Sequence, residues 1–395
     1  MPRPLLLAPI LLLLYSLSLS AQTTVPPQAS ALHPSSVPTQ ASALHPSSVP
    51  PQSTALHPSS VPTQASALHP SSVPTQSPAL HPSSVPHPED FVRFLDIQKM
   101  AECITTLADS ALNGRETGSV GASGALVYIC DRMRAANLRP MGSGIPNRRD
   151  NTYAQPFSCP TGQRGRNAIG LLPASDPTCQ QYIIVSAHYD HLGRIKGILY
   201  PGADSNASGV GVMLSLADAF AALRQAGVTL KRNLLFVAYD GKEFSMAGAR
   251  FFAATLGIAP ENIVLNLNID QIGCTFEPPT PGNPNYILVL GDKNTTPEKG
   301  SAARFRTLLD NNNLFYATKL DIDYTFYNSP TFGDIFFQMT EQCFLAQQGV
   351  PSLLITSGVH DATYKPQDTP DIINYPVLAK RTRWLFFSLW DLLQR

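Results

Sequence analysis

The chain has 395 residues, and its 28 basic and 28 acidic residues cancel to a formal net charge of zero. It contains neither a basic stretch nor interleaved aromatic and basic residues, which argues against a nucleic-acid partner. Its six cysteines include no CxxC pair, which argues against a structural zinc knuckle or a thioredoxin-like site.

The first 21 residues have the order of a secretory signal peptide. A positive charge at Arg3 precedes a Leu-rich run over residues 5–14, and small residues follow up to Ser20 and Ala21, where we expect cleavage. The run is too short to cross a hydrocarbon core of about 30 Å, and no later segment reaches about 18 uninterrupted apolar residues. We therefore predict a protein that is secreted or periplasmic and has no membrane span.

Residues 22–87 form a repetitive segment without a single charged side chain. The motif ALHPSSVP recurs every 12 residues and places a histidine at positions 33, 45, 57, 69 and 81. Each repeat offers one Leu and one Val, which is too little apolar surface to offset the entropy of the chain. We predict a disordered tether that reaches up to roughly 200 Å at about 3.1 Å per residue. Weak metal binding by the histidines is the alternative to a plain duplicated linker.

Residues 88–395 are enough for one large α/β domain. The spacing of apolar residues predicts helices at 91–112, 124–137, 210–226, 248–256, 301–311 and 377–393, with Gly227 as a helix cap. Short β-branched runs predict buried strands at 181–187, 233–238, 263–269, 286–290 and 352–356. This alternation implies right-handed crossovers and a three-layer sandwich, whose central, mixed but mostly parallel sheet is covered by helices on both faces.

Polar side chains follow three of these strands where each strand ends. His188 and Asp190 come after the first, Glu243 after the second and Asp270 after the third. Ligands of open α/β sheets gather at the carboxyl ends of the strands, so we expect His188, Glu243 and Asp270 to converge. Imidazole nitrogen and carboxylate oxygen are zinc ligands. The alternative is that each group only caps a strand or pairs with a neighbour.

Four segments around these residues, in order and spacing, resemble the bacterial leucyl aminopeptidases, whose fold the glutaminyl cyclases share. They are VSAHYDHLG (185–193), GADSNASGVGVMLSLA (202–217), FVAYDGKEFSMAGARFF (236–252) and LNLNIDQIG (265–273). The flanking segments GRETGSVGASGALVYI (114–129) and YKPQDTPD (364–371) extend the likeness from about residue 90 to the C-terminus. The resemblance implies a zinc-exopeptidase fold.

The resemblance also assigns site residues, because active members of the family bind two zinc ions bridged by an Asp. By position, His188 and Asp270 match the terminal ligands of the first metal, and Glu243 matches the Glu of the second. Asp190 matches the carboxylate that orients the ligand histidine.

Other positions depart from the family pattern. The bridging Asp falls at Ser205, the last His ligand at Tyr364, and the general-base Glu at Lys242, which we do not expect to act as a base. A SerAspHis triplet of the family reads Thr-Glu-Gln over residues 340–342. One carboxylate cannot hold the second metal, and a cation at Lys242 opposes a divalent ion. We expect zinc to be absent or present as one weakly bound ion.

The function predicted from these observations is that of a secreted metallopeptidase-family protein with lost or impaired aminopeptidase activity. It would be retained to bind peptides or protein N-termini, or as an interaction domain. The alternative is an active aminopeptidase or glutaminyl-cyclase-like enzyme, in which His191, Asp204, His360 or Asp361 replaces the missing ligands. Export also predicts disulfides; fifteen pairings are open, and Cys159 with Cys179 is the one we favour.

Overall fold

The computed structural model describes residues 87–143, 153–276, 278–291 and 301–395. The predicted signal peptide and nearly all of the repeat segment lie outside the described residues. The element bounds below refer to the described ranges.

A nine-stranded mixed sheet forms the centre of the fold, in the order β1-β3-β7-β4-β8-β11-β9-β10, with β2 also paired to β3. Strands β4, β7, β8 and β11 are parallel neighbours, whereas β3 runs antiparallel to β7 and β9 antiparallel to β11. The strands are β1 (Arg139–Pro140), β2 (Ala154–Ser158), β3 (Arg164–Leu172), β4 (Tyr182–His188), β5 (Arg194–Ile195), β6 (Ile198–Leu199), β7 (Asn233–Tyr239), β8 (Ile263–Ile269), β9 (Tyr286–Leu290), β10 (Asp321–Asp323) and β11 (Ser352–Thr356), of which β5 and β6 form a separate hairpin.

Helices cover both faces of this sheet. The α-helices of the described ranges are α1 (Ile97–Ala108), α2 (Val120–Ala135), α3 (Ser208–Gln225), α4 (Ala247–Thr255), α5 (Ser301–Phe315), α6 (Pro330–Gln338), α7 (Cys343–Gln347) and α8 (Tyr375–Gln394). Side chains of α1, α2, α3, α5 and α8 share one hydrophobic core with one face of the sheet. Helices α4 and α7 pack on the other face, and α6 packs there over β9 and β11.

Alternate residues of the central strands enter different cores. In β4, Ile183 and Val185 belong to the large core, whereas Ile184 belongs to the core under α4. All three side chains are fully buried, and burying such a side chain contributes about 1.5–3 kcal/mol. Because a parallel strand inside a sheet is covered on both faces, its sequence reads as a continuous apolar run. This is why β4, β7, β8 and β11 were predictable.

Helix α3 follows the end of β4 and leads to β7. It ends at Gly227, whose φ of +83° suits a glycine, and the Gly227 and Val228 amides donate to the carbonyls of Arg224 and Leu223 in a Schellman cap. In the described part of the chain, residues 203–225 alone are long and apolar enough to cross a membrane, but 89% of that window is buried. Helix α3 is therefore a core helix.

Several predicted elements are confirmed within one or two residues, and one is wrong. The predicted helix 91–112 is instead a 3₁₀ segment, helix α1 and a second 3₁₀ segment. Asp96 caps α1 by accepting from the amides of Gln98 and Lys99, and Asn113 and Gly114 adopt left-handed conformations that end the second segment. Polar capping residues thus divide a stretch whose apolar spacing is continuous.

The favoured disulfide does not form. Cys159 lies in the turn before β3 and packs with Phe157 and Ala247, whereas Cys179 lies beyond the far end of β3, with its Sγ 3.2 Å from the Lys231 carbonyl oxygen. Strand β3 has nine residues, which span about 30 Å at 3.3 Å per residue. All six cysteines, which lie in the described part of the chain, are free thiols, and the length of β3 separates Cys159 from Cys179.

Candidate functional site

The carboxyl ends of β4, β7 and β8 bring the predicted site residues to one edge of the sheet. His188 is the last residue of β4, and Asp270 follows the last residue of β8. Strand β7 ends at Tyr239 and leads into a 3₁₀ turn that contains Lys242 and Glu243. Since β4 is hydrogen-bonded to both β7 and β8 in parallel, these three ends are neighbours.

His188 and Asp270 form a buried ion pair. The His188 Nε2 lies 3.3 Å from Asp270 Oδ1, and its Nδ1 lies 3.1 Å from the carbonyl oxygen of Asp190. Burial lowers the pKa of His188, but Asp270 and then Glu341 together outweigh burial and raise the pKa to about 9. His188 is therefore an imidazolium at neutral pH.

Lys242 supplies a second cation to the same carboxylate. Its Nζ lies 3.1 Å from Asp270 Oδ2 and 3.1 Å from Glu341 Oε1, although only 8% of its side chain is exposed. Burial lowers the pKa of Lys242, but Asp270 and then Glu341 outweigh burial and hold it well above its ordinary value. Burial likewise raises the pKa of Asp270, and Lys242 and His188 reverse that effect and lower it. The lysine at the general-base position is thus an internal cation.

Glu341 is held in place by a buried amide on the neighbouring strand. Asn268 of β8 donates from Nδ2 to Glu341 Oε2 at 3.0 Å, and Ser186 of β4 donates to the Asn268 side-chain oxygen at 2.9 Å. The Glu341 side chain is 1% exposed. Its carboxylate is therefore fixed by residues of two strands and by the Lys242 ammonium. Glu341 lies in the altered triplet at 340–342, but the sequence did not assign it a partner.

Asp190 organises the turn that carries Lys242 and Glu243. Its carboxylate accepts from the Lys242 amide at 3.1 Å, from the Glu243 amide at 3.4 Å and from the Thr117 hydroxyl at 3.0 Å. Its contact with His188 is weaker, with 3.8 Å between Oδ1 and Nδ1. Asp190 therefore positions the 3₁₀ turn by its side chain and orients His188 mainly by its backbone carbonyl.

A second group in the site consists of Glu243, His191 and Tyr364. The His191 Nδ1 lies 3.7 Å from Glu243 Oε1, and the His191 ring stacks on Tyr364 with centroids 5.9 Å apart and planes 9° apart. Neither ring nitrogen of His191 nor Glu243 Oε1 has a hydrogen-bond partner in the structure. Burial holds the pKa of His191 well below its usual range and, together with Asp190, raises the pKa of Glu243 to about 7.

Ser205 lies in the turn before α3, at the position where the family has its bridging Asp. It is buried at 2% exposure, and its backbone amide donates to Asp368 Oδ2 at 3.0 Å, next to the Asp204 amide on Oδ1 at 2.7 Å. Asp368 therefore holds the turn through two backbone amides, and the resemblance places the Ser205 hydroxyl where a bridging carboxylate would join two metal ions.

The residues of this site do not fit a pair of zinc ions. The Asp270 carboxylate already pairs with the Lys242 ammonium, whose Nζ lies 3.1 Å from Oδ2, so a fixed positive charge stands beside the ligand that a zinc ion would need. Ser205 and Tyr364 supply neither the bridging carboxylate nor the second imidazole. Zinc in a catalytic site takes three protein ligands, and neither of the two metal positions retains three. The site that results is an ion-pair cluster.

Two further buried residues support the site without having been predicted. Arg115 is fully buried and donates to the carbonyl oxygens of Tyr189, Leu107, Pro201 and Gly202, which ties the segment after β4 to the turn before α3. Thr117 bridges Asp190 and Asp240, at 3.0 and 2.7 Å. Both lie in the segment 114–129 that carried part of the resemblance, but single polar residues in a helix-flanking loop gave no sign of these contacts.

The fold and the site together define a class. A mixed sheet with helices on both faces, and acidic and histidine side chains at the ends of its parallel strands, is the architecture of a zinc exopeptidase. The chain belongs to peptidase family M28, a family of zinc peptidases, whose model matches residues 167–387, more than half of the chain. The resemblance deduced from the motifs and the predicted fold class are confirmed.

Known proteins similar to the chain include enzymes and a complex subunit. The crystal structure of BSAP, a zinc aminopeptidase from Bacillus subtilis, superposes with a TM-score of 0.57 at 13% identity, over 76% of this chain and 96% of that one, and shows a common fold. A probable zinc metalloprotease of Pyricularia oryzae is 36% identical over 31% of this chain and 24% of its own length. The BOS complex subunit ncln of Danio rerio is 31% identical over 27% of this chain and 21% of its own length. The chain thus matches about a quarter or less of each of these two relatives.

Proposed function

We propose that the chain is an exported member of peptidase family M28 that does not hydrolyse peptides by the two-zinc mechanism and instead binds peptides or protein N-termini. The observation that carries the first part is the Lys242 ammonium, which lies 3.1 Å from both Asp270 and Glu341. In this arrangement a protonated amine occupies the position at which the family has its general base, so no carboxylate there accepts a proton from water.

The peptide-binding part rests on a cavity formed by the segments that follow β8 and β11. This cavity of about 600 Å³ is lined by Phe276, Asp361 and Lys365 among others, and pockets of roughly 300–1,000 Å³ accommodate small ligands. Its wall offers an aromatic ring, a carboxylate and an ammonium, which suit the side chain, amino group and carbonyl of a peptide end. We propose export because residues 1–21 contain, in this order, a positive charge, an apolar run and small residues, which is the order of a secretory signal peptide.

The relatives support two different outcomes. One is named as a subunit of a complex, which fits a fold retained for interaction, and another as a probable zinc metalloprotease, which fits retained catalysis. The charge arrangement at Lys242 favours the first outcome for this chain.

Hydrolysis of aminoacyl arylamides tests the proposal directly. The purified chain, assayed with added zinc, is expected to show no zinc-dependent turnover. The variant Ser205→Asp/Lys242→Glu/Tyr364→His is the matched gain-of-function control, because it returns the bridging carboxylate, the base and the imidazole together, and it is expected to bind zinc much more tightly. Brisk zinc-dependent hydrolysis by the unaltered chain would refute the proposal.

Binding without turnover separates a peptide-binding protein from one with no pocket function. Calorimetric titration with short peptides that have a free N-terminus is expected to show binding, and N-acetylated copies of the same peptides are the controls. Equal signals from both sets would remove the N-terminus from the proposal.

A second candidate function, an active enzyme with rewired ligands, is favoured by His191. Its neutral imidazole is fully buried, has no hydrogen-bond partner, and lies 3.7 Å from Glu243. Neutral imidazole and carboxylate are the ligand forms that zinc binds. If this candidate is correct, zinc-dependent hydrolysis is present in the unaltered chain and is lost in His191→Ala.

A further inference from the structure

Three buried side chains with metal-binding atoms meet at a place that the family's zinc ligands do not occupy. Asp204, Cys274 and His360 each offer one ligand atom, and these atoms lie within 4.8 Å of one another. All three residues are buried, with exposures of 0%, 4% and 8%. They come from the turn before α3, the segment after β8 and the loop after β11, so the fold, and not one local motif, brings them together.

The Asp204 carboxylate is oriented so that one oxygen is held and the other faces the cluster. Its Oδ1 accepts from the Ser208 hydroxyl at 2.7 Å and from the Gly273 amide at 2.6 Å, while Oδ2 lies 3.0 Å from His360 Nε2. Carboxylates that bind metals are commonly hydrogen-bonded on their free oxygen in this way, which fixes their direction.

The cluster borders open space. Cys274 and His360 both line the cavity of about 600 Å³ described above. The Cys274 thiol contacts the Asp204 carboxylate and lies 3.6 Å from the Ile372 carbonyl oxygen. A metal held by Cys274 and His360 therefore adjoins a volume from which water or a small ligand can reach it. Three protein ligands with access to solvent are the usual arrangement of a catalytic zinc ion, whereas structural sites are closed by a fourth protein ligand.

We propose that Asp204, Cys274 and His360 bind one zinc ion, at a site separate from the family's two-metal position. Thiolate, imidazole and carboxylate together favour zinc over magnesium or calcium, which prefer oxygen ligands alone. Two charged groups of opposite sign border the cluster. The Asp368 carboxylate accepts the Asp204 amide, and the buried Arg381 guanidinium donates to the Cys274 carbonyl oxygen.

Binding displaces one proton to solvent and moves another within the imidazole. Zinc takes the place of the thiol proton of Cys274, which passes to solvent. The single proton of the neutral His360 ring, which Nε2 shares with Asp204 in the metal-free state, moves to Nδ1 and leaves Nε2 free for the ion. In the structure the Ala362 amide donates to Nδ1 at 3.2 Å, so this contact has to open when the ion binds. The hydrogen bond between His360 and Asp204 in the metal-free cluster therefore competes with metal binding.

Cobalt binding to the full chain tests the site, because only a thiolate ligand gives a sulfur-to-cobalt charge-transfer band. Titration with Co²⁺ is expected to produce this band at one equivalent, and zinc is expected to displace it. The band should vanish in Cys274→Ser, and His360→Ala should weaken binding by at least about tenfold, since even a partner that only orients a ligand is worth 10–100-fold. Cys103→Ser alters a buried cysteine of α1 and His188→Ala alters the family position, so both controls should keep the band.

Two results would overturn the site. One is that no Co²⁺ binds at stoichiometric concentration, which leaves the His360–Asp204 hydrogen bond as the state of the cluster. The other is that the absorption is unchanged in Cys274→Ser. If the cysteine variants fail to fold, X-ray absorption of the zinc-loaded unaltered chain decides the matter, because one sulfur neighbour at about 2.3 Å is required. Arylamide hydrolysis abolished by His188→Ala would instead refute the proposed function and leave this site standing.

Discussion

Replacing Lys242 by Met removes the internal cation while keeping a side chain of similar length. In the structure its ammonium faces Asp270 and Glu341 at 3.1 Å each, with 8% of the side chain exposed. At an effective dielectric constant of about 20, each contact is worth about 5 kcal/mol before the cost of desolvation. Removing one partner of a buried ion pair typically costs about 3–5 kcal/mol, because the remaining charge stays buried. We expect Lys242→Met to lower the free energy of unfolding by that amount at pH 7.

The pH dependence of this loss has a definite sign. The folded-state pKa of Asp270 is lowered, so its contribution is present above the unfolded value of 3.8 and is lost as the pH falls below it. The folded-state pKa of Lys242 is raised, so its contribution is present below the unfolded value of 10.5. The loss caused by Lys242→Met should therefore be nearly constant from about pH 5 to pH 9. It should shrink in stronger acid, and again in strong base as Lys242 loses its proton.

Urea unfolding followed by tryptophan fluorescence measures this loss, since Trp384 and Trp390 are buried in α8. Lys99→Met is the matched control, because Lys99 is exposed on α1 and its loss should change stability by less than about 0.5 kcal/mol. In a double-mutant cycle, Lys242→Met and Glu341→Gln should show a coupling energy of about 1–3 kcal/mol. A loss below about 0.5 kcal/mol for Lys242→Met at pH 7 would refute the internal-cation interpretation.

Three other changes give separable outcomes. Gly114→Ala should destabilise the domain by more than about 1–2 kcal/mol, because a Cβ at this position, where φ is +69°, would lie 2.5 Å from the Tyr200 carbonyl oxygen. Gly257→Ala is the control for the backbone cost alone, because Gly257 has a φ of +68° and a Cβ there would have nothing within 4 Å. Equal losses of the free energy of unfolding in urea for the two variants would contradict the steric argument. Burial and Asp190 raise the pKa of Asp240 from 3.8 to about 7, so the free energy of unfolding should fall as the pH rises between these values. Asp240→Asn should make the free energy of unfolding depend less steeply on pH in this range. An unchanged pH dependence in this variant counts against a raised pKa of Asp240. Deletion of residues 22–87 should leave the thermal midpoint unchanged, and a drop of several degrees would show that the repeats pack on the domain.

The parts of the fold that could be predicted are those buried on two faces. The strands that end at His188 and Asp270 are apolar runs, and their bounds follow from that pattern alone. Strand β3 was missed because Arg164, Arg166 and two glycines interrupt its apolar residues. Strand β3 lies near one edge of the sheet, next to β1 and β2. Part of its surface is therefore exposed and tolerates charged side chains.

The candidate site was predictable in its position but not in its contacts. The ends of parallel strands meet by topology, so the approach of His188 and Asp270 follows from the order of elements. The second partner of Lys242, Glu341, was not predictable in the same way, because it lies 99 residues further along the chain and no periodicity links the two. Asp204 and His360 are 156 residues apart in the sequence. They come into contact because the folded chain places the loop after β11 against the turn before α3.

The ammonium between Asp270 and Glu341 also restricts which substitutions could give this site the metal ligands of the family. Lys242→Glu alone would place a third carboxylate beside two that are already buried, with only His188 left as a nearby cation, and like charges at that distance destabilise one another. The change is tolerable only if a divalent ion is already present, but the resemblance places two of the ligands for such an ion at positions 205 and 364. The three substitutions are therefore interdependent, and a stepwise construction of the family's site would have to begin away from Lys242.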